Sequence, residues 1–478
     1  MEHINKEHGR DVKVKPLIFC VLVALVIAFV IPKPELLSSS AWQLLAVFIA
    51  TICGLILKPL PLGAAAMLSV TILCVSGILT HKEAFASFAA VPVWLVIMAS
   101  FIAKGFVETG LGKRLAYMFM SYFGKSSLGI SYSMVATDLF LAPVIPSVTA
   151  RSAGIIFPIL KAISDSYDSY PHSNSSSRLG KYLVLVSFQA CVITSSMFLT
   201  AIVSNPLLAE MLQSNFNITI DWSTWAMAGI VPGLVCLLIL PFVVRLFYAP
   251  ELKVTPDAPV IARQKLAEMG PMSFKEIVMC ATVFMLLFFW AGSKYFGISI
   301  LVTAMMGLVI LLLADILHWG KIIKDSTAWD TFIWFGFLIM LAENLAKQGV
   351  IAWFSQEAGV MLAGISWQVG LSALVLFYFY SHYLFASSTA HVSSMFVPFM
   401  ALALGMGAPP MLAALLFMFA SSLMAGLTHY GCTPAPIIFG LGYTSLKEWW
   451  NVGLFVSVIN IAIFGTVGML WWKTLGLW

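Results

Sequence analysis

Apolar segments that approach the thickness of a lipid bilayer recur through the whole sequence. They begin with residues 16–31, 42–57 and 62–79 and continue towards the C-terminus. A helix of roughly 17–25 apolar residues spans a bilayer. Only 10% of the residues are charged, against about 25% in an ordinary soluble protein. The sequence therefore predicts an all-α polytopic membrane protein with about 11 transmembrane helices.

The basic residues predict an orientation for these helices. With the N-terminus in the cytoplasm, most of the 26 Lys and Arg residues fall on the cytoplasmic side, as the positive-inside rule requires. The basic residues left on the outside are Lys33, Lys82, Lys294, Lys347 and Lys473. Arg151 is the one Arg or Lys that no loop accommodates. We expect a multi-pass protein of a bacterial cytoplasmic membrane, with Arg151 at membrane depth.

The segment around Arg151 has a second copy in the sequence. SVTARSAGIIFP, residues 147–158, matches SSTAHVSSMFVP, residues 387–398, with identical Ser, Thr, Ala and Pro at four positions. Arg151 coincides with His391, and Trp94 coincides with Trp334 at the same spacing. Such self-similarity indicates an internal repeat.

A long polar stretch separates the two copies. The predicted divisions are an N-terminal segment with the first helix (1–41), a first repeat (42–248), a cytoplasmic linker (249–276) and a second repeat (277–478). An odd number of helices in each repeat, five, inverts the second repeat relative to the first. Inverted repeats are common in secondary transporters, whose binding sites lie near the midplane where helices are broken.

Each matching segment is predicted to form the tip of a re-entrant hairpin. Non-helical backbone at membrane depth is tolerated only where it lines a cavity, and the helix after each tip directs its positive end at that cavity. Such a site suits an anion, and a guanidinium binds a carboxylate through two parallel hydrogen bonds. The predicted substrate-binding residues are Ser147, Val148, Thr149, Arg151, Ser387, Ser388, Thr389 and His391.

These residues also have structural interpretations. The hydroxyls could bond to their own backbone, Arg151 could pair with Asp138 along the same hairpin, and His391 could be a neutral hydrogen-bonded histidine. Two further segments, near 200–206 and at 427–436, predict a broken helix in each repeat or else simple kinks. They add the candidates Thr200, Ser204, Asn205, Thr428, His429 and Thr433.

Several classes of function find no support in the sequence. The seven cysteines lie in apolar runs without a CxxC spacing, which predicts buried side chains rather than a metal or redox site. Neither HExxH, GxSxG nor a phosphate-binding loop occurs, and the net charge of +5 reflects membrane topology rather than a nucleic-acid partner. We therefore expect no enzyme, no metal site and no cofactor.

The two tips, together with LTHYGCTPAPIIFG at 427–440, resemble the divalent anion–sodium symporter family of INDY-type dicarboxylate transporters. The similarity covers nearly the whole chain and is greatest to the exchanger branch of 2-oxoglutarate/malate translocators and citrate/succinate antiporters. The resemblance implies eleven helices, two re-entrant hairpins, a homodimer and elevator-type movement of a transport domain. It also implies di- and tricarboxylate substrates.

One departure from the family pattern bears on cation coupling. The sodium-coupled members carry Ser-Asn-Thr at both tips, whereas Val148 and Ser388 stand at the Asn positions here. Valine offers no side-chain oxygen, and hard cations require oxygen ligands. We therefore expect sodium-independent exchange of malate, succinate, fumarate or 2-oxoglutarate, with Arg151 and a protonated His391 balancing the substrate charge. The alternatives are a sodium- or proton-coupled symporter of the same anions and, third, a membrane-embedded enzyme or channel.

Overall fold

The computed structural model describes residues 12–361 and 364–478, and helices dominate this part of the chain. The first helix is α1 (Val14–Leu25), which continues through a π turn (Val26–Val30). The helices that follow it are α2 (Ser39–Leu57), α3 (Leu62–Val75), α4 (His81–Ala86), α5 (Val91–Thr109) and α6 (Leu111–Phe123). The first hairpin and the helices after it are α7 (Ser127–Leu141), α8 (Val148–Arg151), α9 (Phe157–Ser166), α10 (Gly180–Met197), α11 (Ser204–Phe216) and α12 (Trp222–Phe247).

The second half repeats this order. After α13 (Asp257–Met269) come α14 (Phe274–Ala291), α15 (Ser293–Phe296), α16 (Ile300–Leu313), α17 (Trp319–Ile323), α18 (Ser326–Lys347) and α19 (Val350–Met361). The second hairpin and the helices after it are α20 (Trp367–Tyr380), α21 (Ser388–Gly405), α22 (Pro410–Leu423), α23 (Pro434–Phe439), α24 (Leu446–Ile463) and α25 (Met469–Thr474). Thus α5 corresponds to α18, the α7–α9 hairpin to α20–α21, and the broken helix α10–α11 to α22–α23.

The protein is a polytopic α-helical membrane protein with about 11 spans. Within residues 12–361 and 364–478, six helices are long and apolar enough to cross a membrane, or seven if the bent pair α18–α19 counts as one span, and five shorter helices are apolar. Among these helices, α7 and α21 are arms of the two hairpins. The boundaries of the two repeats stay predictions, although the matching order of helices agrees with them.

The centre of the bundle is formed by the helices that precede the two breaks. Almost every residue of α10 is buried, and α10 packs against α12 and α22. A side chain on Gly453 of α24 would lie 2.6 Å from the Gly426 carbonyl oxygen, so glycine permits close approach of α24 to the broken end of α22. The glycine at this contact therefore lets α24 pack closely against the second helix break.

The linker between the halves is partly helical and docked. Within it, α13 packs against α6. Arg114 of α6 pairs with Glu276 (Nε to Oε1, 2.5 Å) and donates to the Gly270 carbonyl at 2.9 Å. Ser273 caps α14 in a capping box with Glu276. The carboxylate of Glu276 therefore both binds Arg114 of α6 and helps to cap the helix that follows the linker.

Candidate functional site

A cavity of about 490 Å³ lies where the two hairpin tips meet. This volume falls within the range of small-molecule binding sites. The predicted residues that line the cavity are Ser147, Val148, Thr149, Ser387, Ser388, Thr389 and Thr433. The structure therefore brings both tips and one helix break to a single site.

The first serine of each tip caps the helix that follows. The Ser147 hydroxyl accepts from the Ala150 N–H at 3.2 Å, and the Ser387 hydroxyl accepts from the Ala390 N–H at 3.4 Å. Serine is among the preferred N-cap residues because its oxygen satisfies one free amide of the first turn. These two serines hold the tips in shape while their hydroxyl hydrogens remain available to a ligand.

Beyond the caps, each tip presents unused hydrogen-bond donors. Within the described part of the chain, the N–H groups of Val148, Thr149, Ser388 and Thr389 have no acceptor, and neither threonine hydroxyl has a polar partner. Both threonines are partly exposed in the cavity wall. Two helix N-termini with free donors favour negative charge in the space between them.

Arg151 does not contribute to this cavity, contrary to its prediction as a carboxylate ligand. Its side chain is fully buried, and its Nε lies 3.0 Å from Oδ1 of Asp138. Nη1 donates to the carbonyls of Ile145 and Ala201, each at 2.6 Å, and Nη2 donates to the Ser195 hydroxyl at 2.7 Å. The guanidinium therefore ties the first tip to the first helix break, and the structural interpretation through Asp138 is the one the geometry supports.

His391 likewise lies away from the cavity. The ring is fully buried against Tyr378, His382 and Phe385, and its Nε2 lies 2.9 Å from the Ser381 hydroxyl. Burial strips a cationic imidazolium of its hydration, and no carboxylate in the described part of the chain pairs with this ring to offset that cost. The prediction that a protonated His391 balances the substrate charge is therefore corrected: His391 is a buried residue of the hairpin interior.

Two of the three candidates at the first break, Thr200 and Asn205, bond to the interrupted backbone. Thr200 donates to the Pro143 carbonyl and accepts from Trp222 Nε1 at 3.0 Å. Asn205 donates to the carbonyls of Ser195 and Phe198, at 2.8 and 2.9 Å, and accepts from Ser422 of the other half. Ser204 is also buried. None of these three side chains lines the cavity. Thr200 and Asn205 are therefore corrected from substrate ligands to structural braces of the break, and Ser204 to a buried residue whose hydroxyl has no partner in the described part of the chain.

Asn205→Ala is expected to destabilise the protein by about 2–4 kcal/mol, because two buried carbonyls and one hydroxyl lose their partner. The midpoint of thermal unfolding in detergent should fall clearly. Gln213→Ala on an exposed stretch of the same helix should leave that midpoint nearly unchanged. An Asn205→Ala protein as stable as the wild type would show that the break does not depend on this side chain.

At the second break, only Thr433 of the three candidates faces the cavity. Thr433 is exposed there beside Cys432 and Pro434, whereas Thr428 is fully buried. His429 accepts from Trp450 Nε1 at 3.2 Å and does not line the cavity.

The second tip is held to its helix break through the Gly431 carbonyl. This carbonyl accepts from the Ser388 hydroxyl at 2.8 Å and lies 3.0 Å from His382 Nε2. Both side chains therefore tie the tip to the break.

Several cavity residues were missed by the sequence analysis. Lys104 of α5 lies in the wall and pairs with Asp325 at the start of α18 (Nζ to Oδ2, 2.7 Å). The other polar and aromatic residues of this wall are Ser100, Thr327, Thr331 and Trp334. In the sequence, Trp334 is only an anchor of the repeat, and Lys104 is only one of the basic residues placed on the cytoplasmic side.

Two matching helical halves, with a cavity between re-entrant tips and helix breaks, are a common architecture of secondary transporters. The chain matches the sodium:sulfate symporter transmembrane region over residues 12–478, and it belongs to that family. It is thus a transporter and not an enzyme.

Similar proteins occur in plants and bacteria. The chain is 45% identical over 467 residues to the chloroplast dicarboxylate transporter 1 of Arabidopsis thaliana. This alignment covers 97% of this chain and 84% of that protein. It is 44% identical over 476 residues to YflS of Bacillus subtilis, a putative malate transporter, with 99% of both chains covered.

Two solved structures share the fold at low sequence identity. The YdaH transporter of Alcanivorax borkumensis aligns with a TM-score of 0.56 and 11% identity over 97% of this chain and 98% of its own. MtrF of Neisseria gonorrhoeae aligns with a TM-score of 0.56 and 12% identity over 96% of this chain and 94% of its own. At this identity the likeness concerns the fold alone.

Proposed function

We propose that the protein exchanges C4 and C5 dicarboxylates, such as malate, succinate, fumarate and 2-oxoglutarate, across a bacterial cytoplasmic membrane. The observation that carries the proposal is the pair of facing tips, each with free N–H and hydroxyl donors. Relatives named dicarboxylate and malate transporters support the substrate class.

Recognition of a dianion follows from the two-fold character of the site. One carboxylate binds the Val148 and Thr149 donors, and the other binds those of Ser388 and Thr389. Hydrogen bonds to a charged acceptor are worth about 1.5–3 kcal/mol each. A monocarboxylate satisfies one tip only and leaves the donors of the other without an acceptor, so two carboxylates are favoured over one.

Sodium independence is supported by the occupation of the carbonyl groups near the tips. The guanidinium of Arg151 donates to the Ile145 and Ala201 carbonyls, and Ser388 and His382 engage the Gly431 carbonyl. These oxygens are the type of ligand that a sodium ion requires. Protein donors therefore take the place of a cation at both tips, and Val148 adds no oxygen.

Obligatory exchange requires that the empty carrier return slowly across the membrane, and the charge of Arg151 does not supply that barrier. That charge is balanced by Asp138 within the hairpin, so it moves as a neutral pair. The cost of returning empty arises from the free donors of both tips, which lose water without gaining an acceptor. Each unsatisfied buried donor costs about 1–3 kcal/mol. A bound dianion removes this cost, so the loaded carrier crosses faster than the empty one.

Movement of the tips relative to the wall supplies alternating access. The two hairpins pack with α10, α11 and α22, and α5 packs with α16 and α18. The two groups meet where α11 packs against α18 and α21 against α19. This grouping supports an elevator-type transport domain that slides along a scaffold. With the N-terminus in the cytoplasm, Lys104 and Asp325 lie at the cytoplasmic ends of their helices, so the cavity opens inwards. A homodimer formed through the scaffold completes the proposal.

Uptake of labelled succinate into proteoliposomes tests this function. Vesicles preloaded with unlabelled malate should take up label at least about tenfold faster than empty vesicles, because the loaded carrier avoids the cost of unpaired donors. External sodium and an imposed pH gradient should have little effect. Sodium- or proton-dependent uptake into empty vesicles would establish a coupled symporter instead, and ion currents without saturation would indicate a channel.

A further inference from the structure

The cavity contains one ion pair that the tips do not supply. Lys104 lies in the last turns of α5, and Asp325 is the N-cap of α18, where its carboxylate accepts from the Ala328 N–H at 3.3 Å. The Lys104 side chain is 40% exposed, whereas that of Asp325 is 13% exposed. Both line the same cavity as the free donors of the tips. An accessible ammonium group therefore stands in the wall of an anion site, held by a protein carboxylate.

The same two helical regions are joined by a second ion pair with a different surrounding. Lys321 of α17 donates to Glu108 of α5 at 2.9 Å, with side-chain exposures of 59% and 43%. Neither residue lines the cavity. One bridge between α5 and the α17–α18 region thus faces the cavity, and the other faces away from it. Only the first is placed to meet a substrate.

We propose that Lys104 is a substrate-binding residue of the inward-facing state, and that the substrate carboxylate competes with Asp325 for its ammonium group. This inference rests on the proposed function and adds a binding contact to it. An ammonium group donates equally well to either carboxylate. The exposed side of Lys104 permits approach from the cavity, while Asp325 keeps the cation in place when the cavity is empty.

The position of Lys104 makes its effect dependent on the side of the membrane. Lys104 belongs to α5, whereas the donors of the tips belong to the moving hairpins. When the tips carry the substrate to the other face, Lys104 stays behind. The cation therefore strengthens substrate binding at the cytoplasmic face only, and substrate affinity differs between the two faces.

Paired substitutions test the competition. Exchange of succinate is measured in preloaded inside-out and right-side-out vesicles, which present the cytoplasmic and the outer face to labelled substrate. Lys104→Gln should raise the KM in inside-out vesicles about tenfold, as expected for loss of one charge-assisted contact. Asp325→Asn should lower that KM about threefold because it frees Lys104, and asparagine still caps α18. Neither substitution should change the KM in right-side-out vesicles.

Opposite changes in KM for the two substitutions distinguish a binding role of Lys104 from a structural one. If the ion pair only held α5 to α18, both substitutions would change the KM in the same direction. Lys321→Gln is the matched control and should leave both KM values unchanged. Equal effects in the two vesicle types, or unchanged KM values for Lys104→Gln, would overturn this inference. Absence of dicarboxylate exchange in the wild type would instead overturn the proposed function.

Discussion

Arg151→Gln is expected to yield a protein that is strongly destabilised rather than one that folds normally and has lost substrate affinity. The substitution leaves Asp138 as a buried, unpaired carboxylate, and breaking a buried ion pair in this way costs about 3–5 kcal/mol. The carbonyls of Ile145 and Ala201 also lose a charged donor. The yield of monodisperse protein and the midpoint of thermal unfolding in detergent measure the loss.

A double substitution and a surface pair make this test specific. Asp138→Asn combined with Arg151→Gln removes the unpaired charge, so the double variant should be more stable than Arg151→Gln alone. Lys161 and Asp165 form an exposed pair on α9 of the same hairpin, and Lys161→Gln should cost less than about 1 kcal/mol. A stable Arg151→Gln protein with a raised KM would restore the interpretation of Arg151 as a ligand.

Replacement of both tip threonines is expected to have the largest effect on transport without loss of stability. Thr149→Val with Thr389→Val keeps the shape of each tip and removes one hydroxyl donor from each. Loss of two hydrogen bonds to charged acceptors, at about 1.5–3 kcal/mol each, raises the KM for succinate about a hundredfold or more. Each single substitution should raise the KM about tenfold. Initial rates of exchange in preloaded proteoliposomes measure both.

The stability of these variants is the necessary companion measurement. Neither threonine hydroxyl has a polar protein partner in the described part of the chain, so thermal unfolding should remain as in the wild type. Ser393→Ala on α21 is the matched control, because that hydroxyl donates to the Thr389 carbonyl within the helix and does not line the cavity. Transport that survives both valine substitutions would place the substrate elsewhere.

The architecture could be predicted because it depends on local pattern. The length of the apolar runs predicts the spans, and the repeated Ser-x-Thr segments predict two tips that meet at one cavity. Both signals arise from constraints that act on each segment separately: bilayer thickness and the scarcity of non-helical backbone at membrane depth.

The roles of individual polar side chains were less predictable because they depend on tertiary contacts. Pairing of Arg151 with Asp138, 13 residues away, is one of two interpretations that the sequence leaves open, and only the shape of the tip decides between them. Asn205 binds carbonyls that the break in its own helix sets free. The sequence predicts Lys104 to be a cytoplasmic charge. Its position in the cavity depends on how α5 packs beside α18. The sequence predicts polar groups at membrane depth for Arg151 and Asn205 and a cytoplasmic charge for Lys104, and packing determines what each of them binds.

The most direct test of binding between the tips is cysteine labelling of the cavity. The seven native cysteines are replaced by alanine, retained exchange is verified, and Thr433→Cys is added in the cavity wall. A membrane-impermeant maleimide is then applied to inside-out and right-side-out vesicles. We expect labelling from both faces, slowed by succinate at concentrations near its KM and not by acetate. Labelling from one face only, or labelling that succinate does not slow, would contradict an alternating dicarboxylate site between the two tips.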